Sequence, residues 1–361
     1  MRDEELVKRA IYLVSTKDLS GKSAITIALA SILMERGLKV GYFKPIGMSS
    51  SLTPGRELHD EDVEIMKAIL RLEYTEDTIC PILLKGDEFL KDFMKSDIES
   101  FMEKIKYAYK RISENSDVVL LESPHNLMTG SFIGCPAPRI ARELSADIIL
   151  VEKAESDLAL DNVLQVQDCC IRWGTKLFGV IFNRVPEDRV ERFKGIIKPF
   201  IEERDINVLG VIPEDRGLSA PTVREICDFI GGRVLAGEDG LDNNVEEILV
   251  GAMTPESAAK YFRRALNEIV VTGGDRTDII LTALEIGVSA VILTGNLYPS
   301  VKVLPKADQL KVPLILVPHD TYATIQYVQR VIGRIKPKDL KRIKIATNLV
   351  KNYVNLERIL D

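Results

Sequence analysis

The chain has few side chains suited to holding a metal or a disulfide framework. Its three histidines, His59, His125 and His319, are not paired at ligand spacing, and its five cysteines, Cys80, Cys135, Cys169, Cys170 and Cys227, form no CxxC pair. An odd count without that spacing excludes a disulfide framework and a zinc site, and reads as reduced thiols in the cytoplasm. No apolar run reaches the roughly 18 residues a transmembrane helix needs. The opening MRDEELVKRA is charged and lacks the apolar core of a signal peptide. No segment repeats at a fixed period. Charge of one sign is also scarce: 48 basic residues face 54 acidic ones, net −6, with lysines and arginines usually beside acids. That pattern gives no electrostatic footprint for nucleic acid or for an anionic membrane. A cytoplasmic protein without either partner is expected.

What is present is the pattern of an α/β protein. At 361 residues the chain has room for two domains, each with its own core. A short apolar run at 11–14 is followed by a polar loop. A helical pattern then runs from Ser23 to near Gly37, and KVGYFKPI reads as a second strand. Further apolar runs at 117–121, 147–151, 177–182 and 207–212 alternate with helical segments at 97–114, 137–144, 157–172 and 188–203. Such alternation implies a parallel sheet with helices on both faces. Residues 60–115 look like helices inserted between the second and third core strands. The junction falls near 214–220, giving a first domain over 1–215 and a smaller α/β domain over 216–330. In the second domain, strands are expected at 247–250, 268–272, 290–293 and 314–317, and helices at 255–265, 276–286 and 321–333. A C-terminal extension follows at 331–361, basic from Pro337 and ending in a short tail.

The loop between the first strand and first helix reads Ser15-Thr16-Lys17-Asp18-Leu19-Ser20-Gly21-Lys22-Ser23. Backbone N–H groups at a helix N-terminus cradle phosphates, and the helix dipole favours the anion. Gly21 lets the backbone approach, Lys22 would reach the β- and γ-phosphates, and Ser23 would hold Mg²⁺. The loop is therefore a P-loop for ATP and magnesium, formed by Thr16, Lys17, Ser20, Gly21, Lys22 and Ser23. It departs from the usual pattern at Thr16, which stands where the first glycine would be. Lys17 has the spacing of a lysine that reaches across a dimer to the partner's nucleotide; a plain surface lysine in a polar loop is the preferred reading. Mg²⁺ keeps several waters and takes one or two carboxylates. Glu122 ends the DVVLLE strand where such a group belongs, and Asp62 is a second candidate, with Asp60 and Glu61 as rivals.

In the second domain three strands end in polar loops, and ligands of open α/β sheets bind beyond the carboxyl ends of strands. Gly273, Gly274, Asp275, Arg276, Thr294 and Asp320 lie there. Two readings are open: a small anionic or nucleotide-like ligand on the glycine N–H groups and Arg276, or turns in which Asp275 and Arg276 cap the helix and pair with each other.

STKDLSGKSAI, GYFKPIG, DEDVEIMKAIL, VVLLES, GVIFNRV and LGVIPED resemble dethiobiotin synthetase in order and spacing. With GLSAPTVREI, GAMTPESAAKYF, VTGGDRTDIILTALE, AVILTGNLYP and VPHDTYATI, nearly the whole chain is similar to the dethiobiotin-synthetase-like N-terminal region of phosphotransacetylases followed by a DRTGG domain. The resemblance implies a P-loop NTPase fold. It implies Asp62 and Glu122 as the Mg²⁺ carboxylates, Lys44 as an active-site lysine beside the substrate, and Asn183 as a reader of the nucleotide base. With Lys22 it makes Lys44 a catalytic candidate. It also implies a homodimer. After Glu122, however, Ser123, Pro124 and His125 replace the small glycines of dethiobiotin synthetase, so biotin-precursor chemistry is not implied. The chain ends at Asp361, before any acetyl-transfer domain, so phosphotransacetylase activity is not expected. Two functions remain: a synthetase-like enzyme that uses ATP to activate a carboxylate or carbamate of an unknown small-molecule acceptor, or a nucleotide-responsive regulator that contacts an enzyme of acetyl and CoA metabolism. A pairing module with a vestigial P-loop is the third option.

Overall fold

A computed structural model describes residues 9–49, 59–85, 89–93, 97–265, 267–331 and 339–360 of the protein. The start of the expected basic stretch at Pro337 lies outside the described residues. The chain forms two compact units, Met1–Asp215 together with Ile335–Asp361, and Arg216–Arg334. Among the described residues no helix is long and apolar enough to cross a membrane.

Among the described residues the first unit carries eight strands: β1 (Arg9–Val14), β2 (Val40–Phe43), β3 (Ile46–Ser49), β4 (Ile82–Lys85), β5 (Val118–Glu122), β6 (Asp147–Lys153), β7 (Leu177–Val185) and β8 (Asn207–Pro213). Six form a wholly parallel sheet in the order β2-β5-β1-β6-β7-β8. Parallel strands read as continuous apolar runs because both faces are covered. On one face Tyr12, Val14, Leu121, Leu150 and Phe182 pack with Ile105, Ile140 and Val163 from the helices Ile98–Ser113, Ala137–Leu144 and Ala159–Arg172. Residues alternate across a strand, so Ile11, Leu13 and Leu120 turn to the other face, where α1 (Lys22–Glu35) contacts β1 and β5.

Two elements differ from the sequence expectation. KVGYFKPI is not one strand. It breaks at Lys44-Pro45, and β3 leaves the main sheet to pair in parallel with β4, a strand inside the region expected to be helical. Proline has no N–H to give to a continuing ladder. The break sets Lys44 just beyond β2, with its N–H on the Ile79 carbonyl at 2.9 Å. The second difference is the C-terminal segment, which is no loose tail. The helix Leu340–Tyr353 packs on α1 and buries Ala346, Thr347 and Val350. Lys351 pairs with Glu35 at 2.5 Å and Glu357 with Arg36 at 2.8 Å. Val354 bridges Gly210 antiparallel, and Asn355 N–H donates to the Leu209 carbonyl at 2.8 Å, so the segment covers part of the β8 edge. α1 is buried almost without interruption from Ala24 to Leu33, and a helix that is apolar all round needs cover on both sides.

The second unit is a five-stranded sheet in the order β10-β11-β12-β13-β9, built from β9 (Arg233–Ala236), β10 (Glu247–Val250), β11 (Glu268–Gly273), β12 (Ala290–Thr294) and β13 (Leu314–Leu316). Only β9 runs antiparallel. Val270, Val291, Leu293 and Leu314 pack on one face with Phe262 and Ile279. Ile269, Val271, Ile292 and Ile315 pack on the other with Ile226 and Val328. β9 and the helices Val223–Ile230 and Val303–Leu310 are additions to the expected elements.

Candidate functional site

The P-loop runs from the end of β1 into α1. Its left-handed turns fall at Leu19 (φ 57°) and Gly21 (φ 87°), not at Thr16. Thr16 therefore needs no glycine. Its hydroxyl donates instead to Glu152 Oε2 at 2.6 Å, and Asn162 Nδ2 donates to Glu152 Oε1 at 2.6 Å. Glu152 is buried at the carboxyl end of β6, and burial raises its pKa. Gly21 is required for a different reason. A Cβ there would stand 2.2 Å from Asn183 Nδ2, whose amide lies on the loop and donates to the Ser20 carbonyl at 2.8 Å. α1 has no side-chain cap at its N-terminus and no acid in its first turn, which leaves its end electropositive.

Parallel register brings the charged groups together. Leu13 of β1 lies opposite Glu122 of β5, so the loop leaving β1 meets the carboxylate that ends β5. Ser23 Oγ donates to Glu122 Oε1 at 2.6 Å, and Tyr42 OH donates to Oε2 at 3.3 Å. Lys22 is buried, with Nζ donating to Ser15 Oγ at 2.8 Å. Burial holds the Lys22 pKa below the usual lysine range, while Glu122 draws it back up. The Glu122 carboxyl is pushed up to about 7 by burial and then by the Asp62 charge; Lys44, Lys22 and Ser23 act against the rise.

Lys44 is buried between two acids, with Nζ 2.8 Å from Asp60 Oδ1 and 2.6 Å from Asp62 Oδ2. Burial would lower its pKa, but the two carboxylates hold it well above the ordinary value. Asp60, one of the rivals to Asp62, is engaged in other bonds. Asp60 caps α2 (Glu61–Leu70), accepting from Asp62 N–H at 3.0 Å, and it also takes Met48 N–H at 2.9 Å. Asp62 is part exposed and its charge is felt at Glu122 and at Lys22. Among the described residues no group of three or more His, Cys, Asp or Glu could hold a metal by itself. One hydroxyl and two carboxylates, Ser23, Glu122 and Asp62, have the oxygen chemistry Mg²⁺ takes, with water completing the shell. Lys17 is exposed at the loop's tip. His125 pairs through Nδ1 with Asp18 of the loop.

Three buried side-chain polar atoms lack a partner among the described residues: Ser20 Oγ, Ser123 Oγ and Arg184 Nε. Ser20 lies in the loop, Arg184 reaches the Leu19 carbonyl, and Ser123 N–H donates to the Leu13 carbonyl of β1. Buried polar atoms are normally paired, so each of the three is open to an atom of a ligand or of water. Arg184, Tyr42, Glu152 and Asn162 were missed in the sequence, and Ser15 and Ser123 were named only as loop residues. Glu152 and Arg184 carry a signal in hindsight, because both are polar residues at the carboxyl ends of apolar strands.

The second-unit residues also meet at one edge, beyond the carboxyl ends of β11, β12 and β13, but their groups are already engaged. Arg276 pairs with Asp278 at 3.1 Å, not with Asp275, and reaches the Met253 carbonyl at 3.0 Å. Thr294 Oγ1 bonds the Thr272 carbonyl at 3.3 Å and Thr321 Oγ1 at 3.1 Å. Asp320 accepts Ala323 N–H at 2.8 Å at the start of the helix Thr321–Val331. Asp275 Oδ1 stands 2.5 Å from where a Cβ on Gly273 would be. Gly274 meets the Leu297 carbonyl so closely that an added Cβ would be 1.6 Å from that oxygen. Its glycine serves backbone packing. Gly274→Ala is expected to cost about 3 kcal/mol by overpacking against backbone; denaturant unfolding checks it, and an unchanged midpoint would refute the packing role.

Comparison with known proteins agrees with this architecture. Residues 9–222 match the family model of an AAA domain and residues 225–331 that of a DRTGG domain. The chain is similar to the phosphate acetyltransferase of Nitratidesulfovibrio vulgaris, 26% identical over 371 residues that cover 96% of this chain and 50% of that protein. It is similar also to the phosphate acetyltransferase of Nitrosomonas europaea, 27% identical over 362 residues, covering 96% of this chain and 50% of that protein. The chain thus spans about half the length of the curated relatives it matches. Among solved structures, the MinD cell division protein of Aquifex aeolicus aligns with a TM-score of 0.38 at 19% identity, over 58% of this chain and 84% of that one. The chain belongs to the AAA domain family, with a P-loop NTPase unit that is followed in sequence by a DRTGG domain.

Proposed function

We propose that the first unit binds Mg·ATP and uses it to activate an acceptor carboxylate or carbamate. The observation that carries this reading is the cluster of unpartnered buried atoms, Ser20 Oγ, Ser123 Oγ and Arg184 Nε, around a P-loop whose Lys22, Ser23 and Glu122 are already assembled. Ser23, Glu122 and Asp62 would hold Mg²⁺, which when bound neutralises phosphate charge. Lys22 stabilises the transferring phosphoryl group. An acceptor oxygen attacks the γ-phosphorus, the bond to the β–γ bridging oxygen breaks, and ADP leaves with that electron pair. Ser123 and Lys44 line the acceptor side. Asn183, whose amide donates to the Ser20 carbonyl, would contact the base. A homodimer in the cytoplasm is part of the same reading. Acceptor-stimulated ATP turnover that vanishes in Lys22→Ala is the test; nucleotide binding that no carboxylate or carbamate ever converts to turnover would defeat the enzyme reading.

One observation favours a second reading. Lys44 is neutralised by Asp60 and Asp62, so it offers an anionic acceptor no free charge. A nucleotide-responsive regulator that contacts a metabolic enzyme needs no acceptor. Slow turnover with a nucleotide-dependent change in solution scattering would support it.

Glu122 separates stability from function. Its folded-state pKa is raised, so its stabilising contribution is full below about pH 4.5 and is lost as pH climbs through about 7. Glu122→Gln removes that loss. It is expected to melt above the wild type at pH 8, to match it near pH 4, and to bind Mg·ATP poorly. Thermal unfolding at the two pH values checks this; a lower melting point than wild type at pH 8 would contradict it.

A further inference from the structure

β7 leaves regular strand geometry at its last residues. Its register with β8 shifts between Phe182 and Val185, and within that bulge Arg184 adopts φ 55°, a left-handed backbone unfavourable for a residue with a Cβ. Bulges re-aim side chains. Here the Arg184 side chain, 18% exposed, lies against the P-loop. Nη1 donates to the Leu19 carbonyl at 3.4 Å, Nη2 donates to Glu214 Oε1 at 3.1 Å, and Nε is buried without a partner. Leu19 is itself a left-handed turn of the loop. Glu214 is the last residue but one before the first unit's boundary at Asp215, and its N–H donates to the Val185 carbonyl at 2.9 Å. One planar guanidinium thus touches the phosphate loop with one arm and the end of β8's exit with another, while the Nε donor of the same plane is left in dry surroundings.

We infer that Arg184 contacts the bound nucleotide and transmits the filling of the P-loop to Glu214, at the start of the segment that leads to the second unit. The inference rests on the Mg·ATP reading of the same site. An acceptor atom of the nucleotide completes Nε. The guanidinium plane is then fixed at a third point, and its weak 3.4 Å contact to Leu19 and its ion pair to Glu214 are held more tightly. Residues 214–222 become more ordered as the site fills. Neither the loop nor the junction needs another mobile element for this, because the guanidinium already touches both.

Hydrogen exchange of the full chain, with and without saturating Mg·ATP, tests the coupling. In the wild type the amides of 214–222 are expected to exchange roughly fivefold more slowly with nucleotide bound. Glu214→Gln should bind Mg·ATP as the wild type does and lose that slowing. Arg184→Gly suits the left-handed backbone, so it removes the side chain without straining the chain. It should bind Mg·ATP roughly tenfold more weakly and show no slowing even at saturation. Unchanged or faster exchange at 214–222 in a wild type that binds Mg·ATP overturns the coupling alone. Slowing that persists in Glu214→Gln and Arg184→Gly overturns it too. A wild type that binds no nucleotide sinks the Mg·ATP reading, and this inference with it.

Discussion

Lys22→Ala is expected to weaken Mg·ATP binding by a factor of about 100 while leaving the fold intact. The two effects separate because the ammonium is a cost to the ligand-free protein. Lys22 is buried, its pKa is drawn down by that burial, and its ammonium donates to Ser15 Oγ. Removing it removes a desolvated charge, and the small cavity left behind is offset in part by that gain. In the nucleotide complex the same ammonium meets phosphate, where a charge-assisted bond in a dry site is strong. The variant should therefore melt within a few degrees of the wild type and lose the melting-point rise that Mg·ATP gives. Loss of binding together with loss of fold would mean that Lys22 is a structural residue.

Removal of residues 335–361 is expected to have the second large effect, although every P-loop residue is retained. α1 carries Lys22 and Ser23 and is buried almost all round, with the helix Leu340–Tyr353 packed on it. Val350, Val354 and Ile359 are buried in the segment that would go, and burial of such side chains contributes roughly 5 kcal/mol or more in sum. The truncated chain should lose most of the first unit's stability and its nucleotide binding. The surface pairs Lys351–Glu35 and Glu357–Arg36 account for little of this, because exposed ion pairs contribute less than about 1 kcal/mol each. Lys351→Ala with Glu357→Ala is the control and should melt close to wild type. Unfolding by denaturant checks both; a truncated chain with the wild-type midpoint would contradict the covering role.

The parts of this site that were legible in the sequence are those set by local pattern. A buried strand, a polar loop with GKS and a helix follow one another without interruption, and Glu122 ends an apolar run. Parallel register then forces the loop leaving β1 to meet the acid that ends β5. What was not legible depends on tertiary partners. Thr16 departs from the usual loop at the cost of nothing visible locally, and only the fold reveals Glu152 and Asn162 beside it. Lys44 was placed by resemblance, but its two carboxylate partners come from a cap and a first turn after a break at Pro45. For Arg276 an anionic ligand and a pair with Asp275 were both open, whereas the fold sets it against Asp278. The C-terminal helix was missed because a helix as apolar as α1 announces that it is covered without saying by which segment.

Calorimetric titration of the full chain with Mg·ATP, alongside the Lys22→Ala variant, is the most direct test of the nucleotide site. A saturable heat with one site per chain, weakened without Mg²⁺ and weakened by a factor of about 100 in Lys22→Ala, is the expected result. A flat titration with both Mg·ATP and Mg·ADP, and no rise in melting temperature with either, would contradict it.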